Sequence, residues 1–186
     1  MSPVKRIALT GGIACGKSLF AKFLRELGVQ TLDADDIVHE ILPDDERRRL
    51  VPVVFSDPAA RKALEARIHP LVRERIDRWF SGKSGSTGNS ENSGQIRVAI
   101  IPLLFECNWD RDYDTILCVT SRAENQIRRM VETRGLSRAE AEARLNAQLP
   151  VSEKAARSQY AIENDSTPGH LRQEAVRCVE WLKSRT

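Results

Sequence analysis

The sequence predicts an α/β fold built on a parallel β-sheet. Short apolar runs that favour buried strands alternate along the chain with amphipathic stretches of helical periodicity. In addition, the first 33 residues have the order strand, glycine-rich loop, helix, strand, which is typical of a βαβ unit. Because the two strands of such a unit run in the same direction, the sheet is expected to be parallel from its first pair.

The predicted βαβ unit starts close to the N-terminus. Val4 to Thr10 is a short apolar run with β-branched residues, which predicts a buried strand. Gly16 to Leu27 predicts a helix, because its apolar residues recur at the spacing of one helix face, and Gly28 follows at the position of a helix C-cap. Val29 to Leu32 predicts the second strand, which ends at Asp33.

Helices are predicted for the middle of the chain. Asp36 to Leu42 favours a short helix, and Asp57-Pro58 is typical of an N-cap followed by proline at the first helical position. The helix that starts there is expected to run to Phe80 with an interruption at His69-Pro70, because proline disfavours helical geometry in the residue before it. Ser81 to Gln95 consists almost entirely of small polar and charged residues and predicts a flexible loop.

The second half of the chain returns to alternating strands and helices. Strands are predicted at Ile96 to Ile101, Thr115 to Val119 and Tyr160 to Ile162. Capping boxes, a serine followed three residues later by glutamate, start at Ser121 and Ser137 and predict two helices. Thr167-Pro168 starts a last helix, and its predicted apolar face carries these residues: Leu171, Ala175, Val179 and Leu182.

Composition and charge narrow the class of protein. The 186 residues are 41% apolar and 30% charged, as in a soluble globular chain of one domain. No apolar run approaches the ~20 residues that a membrane helix needs, and no secretory signal is recognisable, so a cytoplasmic location is expected. A net charge of +3 is too small to indicate nucleic-acid binding. The four cysteines lack metal-ligand spacing and are expected to be reduced thiols.

The strongest motif is the segment Gly11 to Ser18, which fits the phosphate-loop pattern G-x-x-x-x-G-K-[ST] between a predicted strand and a predicted helix. In such a loop, backbone N–H groups and the helix N-terminus point at phosphate oxygens. Lys17 is expected to reach the β- and γ-phosphates, and Ser18 to offer its hydroxyl to Mg²⁺. Cys15 has two interpretations: a small loop residue, or a thiolate favoured by Lys17 and the helix N-terminus.

Two carboxylates, Asp33 and Asp35, follow the second predicted strand. Because ligands bind at the carboxyl ends of parallel strands, these groups can hold Mg²⁺ and accept a proton from a substrate hydroxyl. Solvation of a turn is the alternative interpretation. A phosphate loop alone is compatible with a GTPase, a motor or a kinase, but the sequence has no N-K-x-D motif for guanine and is short for a motor.

Together with later segments, these motifs resemble the dephospho-coenzyme A kinase family. The N-terminal match combines T-G-G-I-x-x-G-K-S with L-G-V-x-x-x-D-A-D. Further matches follow in the family's order: His69-Pro70 with Val72-Arg73, Pro102 to Glu106, Gln126 with Arg129, Arg144 with Gln148, and Ile162 to Asn164. The matches run from residue 7 to about residue 165.

The resemblance implies a three-layer P-loop kinase fold with a five-stranded parallel sheet, a helical acceptor-binding insertion and a helical lid. The single domain of 186 residues would have a core of about 1–34, 96–120 and 155–186, an acceptor-binding region of about 35–95 and a lid of about 121–150. The implied reaction transfers the γ-phosphoryl group of ATP, with Mg²⁺, to the ribose 3′-hydroxyl of dephospho-coenzyme A. The implied partners are these two small molecules, without nucleic acid or membrane, for a monomer or weak homo-oligomer.

The resemblance also implies roles for individual residues. Asp35, as the general base, Lys17 and Arg144 would be catalytic. ATP would be bound by the following residues: Gly12, Ile13, Ala14, Cys15, Gly16, Lys17, Ser18, Leu19, Arg129, Arg144 and Asn164. The acceptor would be bound by another set: Asp33, Asp35, His69, Arg73, Leu104 and Glu106. Ser18 and Asp33 would hold Mg²⁺.

The chain departs from the family pattern at several positions. Ala14 stands where the family usually has glycine, and Leu19 replaces a second hydroxyl. The segment from Pro43 to Phe55 is shortened and keeps only Arg47 to Arg49 to supply its arginine, and Thr133 takes the place of a lid arginine. These changes predict weakened acceptor binding.

Two alternative functions remain open at this point. One is another small-molecule or nucleoside kinase of the same fold. The other is a nucleotide-binding regulatory protein without catalysis, which the shortened acceptor region favours. The presence of Asp35 and of the lid arginines argues against the regulatory protein.

Overall fold

The computed structural model describes residues 5–43, 46, 49–50, 57–82 and 96–185. The strands within these residues are β1 Ile7–Gly11, β2 Gln30–Asp33, β3 Arg97–Ile100, β4 Thr115–Thr120 and β5 Tyr160–Glu163. The α-helices are α1 Lys17–Glu26, α2 Ala34–Ile41, α3 Pro58–Phe80, α4 Ala123–Arg134, α5 Arg138–Asn146, α6 Val151–Ala156 and α7 Pro168–Lys183. A short 3₁₀-helix covers Asp110–Asp112.

The described residues form two compact units. The first contains residues 5–31 and 96–185, and the second contains residues 32–43, 46, 49–50 and 57–82. The boundary between them falls within β2. The phosphate loop belongs to the first unit, whereas α2 and α3 make up the second and pack against each other there. The finer division into core, acceptor-binding region and lid stays a prediction.

The sheet has five strands in the order β2-β3-β1-β4-β5, so the predicted α/β fold with a five-stranded parallel sheet is confirmed. β1 pairs in parallel with β3, where Ile7 lies opposite Val98, and with β4, where Gly11 lies opposite Val119. The loop that follows β1 therefore emerges from the centre of the sheet, at the edge where the neighbouring parallel strands also end.

The position of β1 in the core of the first unit explains the apolar character of this strand. All five residues of β1 are buried, as expected for a central parallel strand covered on both faces. Helix α1 contributes Phe20 and Leu24, and α7 contributes Leu171 and Ala175, to the same hydrophobic cluster. The predicted apolar face of the last helix is thus confirmed, and Thr167 caps that helix by accepting from the backbone N–H of His170.

The predicted interruption of the long helix at His69-Pro70 is wrong. Helix α3 continues through Pro70 from its predicted N-cap, Asp57, whose side chain accepts from Ala59 N at 2.8 Å. Proline removes the hydrogen bond to the carbonyl of Ala66 four residues earlier. Both Ala66 and Pro70 are exposed, so water can satisfy that carbonyl and the helix persists.

One of the two predicted capping boxes is also wrong. Ser137 forms the expected reciprocal box with Glu140 at the start of α5. Ser121 does not cap α4, because its hydroxyl donates to Asp165 Oδ1 at 2.6 Å. The same carboxylate oxygen accepts from the backbone N–H of Arg122 at 2.8 Å, so a residue after β5 caps α4 instead.

Several helix boundaries differ from the prediction, and some predicted features lie outside the described residues. Helix α2 begins at Ala34 rather than Asp36, so Asp35 lies in its first turn, and the short helix α6 was not predicted. Most of the predicted loop from Ser81 to Gln95, and Arg47 and Arg48, lie outside the described residues. None of the helices in the described part of the chain combines the length and apolar content required to cross a membrane.

Candidate active site

The predicted phosphate loop connects β1 to α1 through three residues in the left-handed half of backbone space. Gly11, Ala14 and Gly16 have φ values of 148°, 54° and 91°. Glycine adopts such angles without a steric cost, whereas alanine has a Cβ that crowds the following carbonyl. The loop therefore has the curved backbone that a phosphate-binding motif requires, and Ala14 holds its conformation under strain.

Every carbonyl oxygen from Gly11 to Gly16 accepts a hydrogen bond. Lys17 Nζ donates to the carbonyls of Gly11 and Gly12 at 3.1 and 2.8 Å. The carbonyl of Gly16 accepts from Phe20 N in the first turn of α1. The three carbonyls between them are bound by side chains from distant parts of the chain: Gln126 on Ile13 at 2.6 Å, Arg129 on Ala14 at 3.2 Å and Asn164 on Cys15 at 2.8 Å.

The N–H groups of the same loop are only partly paired with protein acceptors. Ile13 N donates to Gln148 Oε1 at 3.0 Å, and Cys15 N donates to the Gly12 carbonyl at 3.3 Å. The N–H groups of Ala14, Gly16 and Ser18 have no acceptor among the residues that the structure describes. Because the carbonyls are tied to protein donors, the loop offers unpaired N–H groups at the N-terminus of α1, which is the arrangement that binds phosphate oxygens.

Two glycines of the loop are required by close packing. A Cβ on Gly16 would lie 2.2 Å from Asn164 Nδ2, and a Cβ on Gly12 would lie 2.6 Å from Gln126 Nε2. Both contacts are far shorter than van der Waals distance. The side chains that hold the loop carbonyls thus lie directly against the glycines, so the loop and its donors fit only without side chains at these positions.

Arg129 joins three segments around the loop. Besides the Ala14 carbonyl, its guanidinium donates to Ser121 Oγ at 3.3 Å and to the Asn164 carbonyl at 2.6 Å. The predicted contact of Arg129 with ATP phosphates and that of Asn164 with adenine stay predictions. In the structure, both side chains donate hydrogen bonds to backbone carbonyls of the phosphate loop.

The helices α4 and α5 pack directly against the loop. Their small core consists of Ile127, Met130 and Ala141, and the loop residues Ile13 and Ala14 pack against it. Arg144, the predicted catalytic arginine of this region, is exposed in the last turn of α5. Leu19, at the position of the missing hydroxyl, is half-buried against the main core.

Cys15 is fully buried, which contradicts the thiolate hypothesis. Burial raises the pKa of its thiol, and this effect exceeds the opposing effects of the nearby Lys17 and Arg129 charges and of the Gly12 backbone. The interpretation as a small loop residue therefore stands. Burial likewise raises the pKa of Cys118 to about 11, with a smaller contribution from Cys15.

Asp165 links the segment after β5 to the start of α4. Burial by itself raises the pKa of this carboxyl, but the hydrogen bonds from Ser121, Asn125 and the Arg122 backbone, together with the Arg122 charge, hold the pKa below its usual range. Its Oδ1 accepts from Asn125 Nδ2 at 2.9 Å, and Arg122 Nε lies 3.5 Å from Oδ2. This carboxylate therefore ties the residue next to Asn164 to the helix that carries Gln126 and Arg129.

The predicted acceptor residues Asp33, Asp35, His69 and Arg73 belong to the second unit. Asp33 caps α2, because its Oδ1 accepts from Asp35 N at 3.0 Å. Asp35 is exposed in the first turn of α2. His69 and Arg73 lie four residues apart on α3, so they share one face of that helix.

The other two predicted acceptor residues, Leu104 and Glu106, lie in the first unit. The side chain of Leu104 is fully buried in this conformation. Glu106 Oε1 pairs with Lys154 Nζ at 2.6 Å and accepts from Leu149 N at 3.1 Å. Their contacts with an acceptor stay predictions.

Sequence reasoning gave no role to several residues that build this site. Gln126 and Gln148 lie in segments that match the family pattern, but nothing local indicated that they bind the carbonyl and the N–H of Ile13. Asp165 follows Asn164 directly, and this proximity was the only available signal. Lys154 gave no signal, since a lysine on a short helix normally predicts an exposed residue.

The two predicted Mg²⁺ ligands each carry oxygen atoms of the kind that a hard cation prefers, and they belong to different units. In the first unit, the Ser18 hydroxyl is exposed at the start of α1 and has no hydrogen-bond partner among the described residues. In the second unit, Asp33 has a carboxylate. Mg²⁺ typically uses one or two such oxygens and completes its shell with water and substrate phosphates. Among the described residues, no group of three or more His, Cys, Asp or Glu side chains has the arrangement of a metal site.

The chain is similar to known proteins over most of its length. A family model for dephospho-CoA kinase matches residues 5–47 and 39–169. The dephospho-CoA kinase of Symbiobacterium thermophilum is 38% identical over 181 residues, with 85% of this chain and 73% of that protein covered. The dephospho-CoA kinase of Geobacter sulfurreducens is 36% identical over 188 residues, with 89% and 92% covered.

Solved structures show the same fold. The crystal structure of TT1252 from Thermus thermophilus superposes with a TM-score of 0.78 at 32% identity and covers 94% of this chain and 95% of that chain. Dephospho-CoA kinase from Campylobacter jejuni gives a TM-score of 0.70 at 24% identity, with 96% and 97% covered. Since the family model and relatives above 30% identity span most of the sequence, the chain belongs to the dephospho-CoA kinase family.

Proposed function

We propose that this protein transfers the γ-phosphoryl group of ATP to the ribose 3′-hydroxyl of dephospho-coenzyme A and so forms coenzyme A. Membership of the dephospho-CoA kinase family supports the reaction and both substrates. A cytoplasmic location and a monomeric or weakly associated state are part of the same proposal.

The observation that carries the proposal is the hydrogen bonding of the phosphate loop. All six carbonyls from Gly11 to Gly16 are bound by protein donors, while the N–H groups of Ala14, Gly16 and Ser18 have no acceptor among the described residues. Such a loop binds a polyphosphate without rearranging its backbone. Preorganised N–H groups of this kind stabilise transferring phosphoryl groups, because phosphoryl transfer depends mainly on positioning and charge neutralisation.

Each catalytic residue has a distinct task in this proposal. Lys17, which donates to the Gly11 and Gly12 carbonyls, neutralises charge on the β- and γ-phosphates, and Arg144 adds a second positive charge from α5. Asp35 accepts the proton of the attacking hydroxyl. Ser18 and Asp33 would hold Mg²⁺, which supplies charge neutralisation for the phosphates.

The remaining residues bind the acceptor or exclude water. His69 and Arg73 present a donor-rich face of α3 to an anionic acceptor. Glu106, whose Oε1 is fixed by Lys154, offers its second carboxylate oxygen to a hydroxyl. The helices α4 and α5 exclude water when they close over the phosphates.

Product analysis tests the proposal directly. Purified protein is incubated with Mg·ATP and dephospho-coenzyme A, and coenzyme A and ADP are quantified by chromatography with mass spectrometry. Equal formation of both products is expected. The absence of coenzyme A at millimolar acceptor would contradict the proposal.

The same assay separates the alternatives. A panel of hydroxyl acceptors that includes nucleosides, gluconate and shikimate identifies another kinase of this fold if one of them exceeds dephospho-coenzyme A in kcat/KM. A regulatory protein without catalysis would bind ATP but form no product with any acceptor. The shortened segment from Pro43 to Phe55 predicts a raised KM for dephospho-coenzyme A rather than a loss of turnover.

A further inference from the structure

Lys154 is a buried cation to which the proposed reaction gives no role in binding ATP. Its side chain is 0% exposed, although it lies on the short surface helix α6. Its Nζ forms an ion pair with Glu106 Oε1 at 2.6 Å and donates to the Pro102 carbonyl at 3.2 Å. Burial of a charged lysine is costly unless the partner and the geometry are well defined, so this ion pair must be closely fixed.

A chain of contacts connects the ion pair to the phosphate loop. Lys154 fixes Glu106, and the same oxygen, Oε1, accepts from the backbone N–H of Leu149 at 3.1 Å. The neighbouring residue, Gln148, places its side-chain Oε1 3.0 Å from Ile13 N. The segment of residues 148–149, between α5 and α6, is thus bound by the Glu106 carboxylate through Leu149 N and binds the phosphate loop through the Gln148 side chain.

The chemistry of Ile13 fixes the orientation of Gln148. A backbone N–H can only donate, so the atom of Gln148 that faces it must be the carbonyl oxygen Oε1. Gln126 completes the hold, because its Nε2 donates to the carbonyl of Ile13 at 2.6 Å. Gln148 therefore fixes the peptide group between Gly12 and Ile13, and Gln126 fixes the next one, between Ile13 and Ala14. This second peptide group carries the Ala14 N–H, and its direction also depends on the peptide group before it, which Gln148 holds.

We propose that Lys154 is a positioning residue for ATP binding, which acts through Glu106 and the 148–149 peptide to hold Gln148 against the phosphate loop. The inference rests on the proposed binding of ATP by that loop. The ligand that senses the change is the triphosphate, because the peptide group that Gln148 holds directly precedes the one whose Ala14 N–H is proposed to bind phosphate.

Lys154→Met tests the proposal, and Arg157→Met is its matched control. Arg157 lies at the C-cap of α6, pairs with Asp110 at 3.0 Å and covers the ring of Phe105 at 4.3 Å. It therefore links α6 to the segment after β3, as Lys154 does, but none of its described contacts involves Leu149. The double variant Lys154→Met/Glu106→Gln removes both charges and avoids an unpaired carboxylate if the single variant fails to fold.

Two measurements decide the outcome. The Kd for Mg·ATP is expected to rise about tenfold in Lys154→Met and to a similar extent in the double variant, but to stay within about twofold in Arg157→Met. Hydrogen exchange of the Ile13 amide, followed by NMR, is expected to accelerate in the two Lys154 variants only. A purely structural role would lower thermal stability without changing either quantity.

Unchanged ATP affinity together with unchanged Ile13 exchange in a folded Lys154 variant would overturn the proposal. An equal loss of affinity in Arg157→Met would overturn it as well, because the effect would then not pass through Leu149. If the wild-type protein does not bind ATP, the proposed function fails, but exchange at Ile13 still decides whether Lys154 positions the loop.

Discussion

The side chain of Asn164 donates a hydrogen bond of 2.8 Å to the carbonyl oxygen of Cys15, which lies 149 positions earlier in the chain. Asn164 directly follows β5, an edge strand, whereas Cys15 lies in the loop after the central strand β1. The bond is buried, and the backbone carbonyl of Asn164 in turn accepts from Arg129. One residue thus joins the phosphate loop, the end of the sheet and α4.

Asn164→Ala is expected to weaken ATP binding. It leaves the Cys15 carbonyl without its donor and allows that peptide group to rotate toward the phosphate site. The loss of one such bond corresponds to about a fivefold to tenfold increase in the Kd for Mg·ATP. Titration calorimetry measures the change, and Glu163→Ala, at the exposed neighbouring position, serves as the control. A Kd equal to that of the control would contradict the prediction.

Gly16→Ala is expected to abolish ATP binding. Gly28→Ala is the control that separates the effect of backbone strain from that of the contact with Asn164. Both glycines have left-handed backbone angles, φ 91° and 84°. A Cβ on Gly16 lies 2.2 Å from Asn164 Nδ2, whereas a Cβ on Gly28 has nothing within 4 Å. Both variants should lose about 1–2 kcal/mol of unfolding free energy to backbone strain.

Only Gly16→Ala should also displace Asn164. Denaturant unfolding measures the strain in both variants, and ATP titration measures the displacement. Equal ATP affinities in the two variants would show that the contact with Asn164 does not matter for binding.

Asp35→Asn is expected to reduce kcat and leave ATP binding unchanged. The amide keeps the size of the side chain but cannot accept the hydroxyl proton, and general-base catalysis contributes about 10²–10⁴-fold. Asp36→Asn is the control, since Asp36 is also exposed in the first turn of α2. Steady-state kinetics with dephospho-coenzyme A measures the effect. Equal kcat values in the two variants would remove Asp35 from the role of base.

Asp165 makes the stability of the protein depend on pH in acid. The pKa of Asp165 in the folded protein is lower than its ordinary value of 3.8, despite the opposing effect of burial, because Ser121, Asn125 and the Arg122 backbone donate to the carboxylate. Unfolding therefore takes up a proton in acid. The stabilisation is fully present above pH 3.8 and is lost as the pH falls through the folded-state pKa.

Asp165→Asn is expected to remove this pH dependence. At pH 7 the free energy of unfolding of the variant should be about 1–3 kcal/mol lower than that of the wild type, because a charge-assisted cap of α4 is weakened. The difference should shrink as the pH falls below the folded-state pKa. Urea denaturation at a series of pH values measures both curves, and parallel curves down to the lowest pH would contradict the assignment.

The sequence predicted those parts of the fold that depend on local patterns. The strand β1, the glycine loop and α1 follow each other directly, so periodicity and the G-x-x-x-x-G-K-S spacing were sufficient. Asp57 and Thr167 were recognised as N-caps for the same reason. The expected break at Pro70 was wrong because Ala66 and Pro70 are exposed, so water can satisfy the freed carbonyl of Ala66, and a local motif does not indicate exposure.

The layer around the phosphate loop was not predictable, because it depends on contacts across the sheet. Gln126, Gln148 and Asn164 reach the loop from more than 100 positions away. Ser121 had the local signature of a capping box, but a distant carboxylate, Asp165, competed successfully for its hydroxyl. Lys154 is buried by an ion pair with Glu106 that no spacing rule indicates.

Ala14→Gly is expected to stabilise the protein. Ala14 has φ 54° at a position where the resemblance to the family predicts glycine, and its carbonyl is held in place by Arg129. Relief of left-handed strain contributes about 1–2 kcal/mol, and the added freedom of glycine in the unfolded chain offsets about 0.5–1 kcal/mol of it. Asn108→Gly is the matched control, because Asn108 has φ 55° but asparagine tolerates this conformation. Chemical denaturation should therefore give a net gain in unfolding free energy for Ala14→Gly and little change for Asn108→Gly. A loss of stability in Ala14→Gly would contradict the prediction, because the methyl group would then contribute more by packing against the cluster of Ile127, Met130 and Ala141 than it costs in strain.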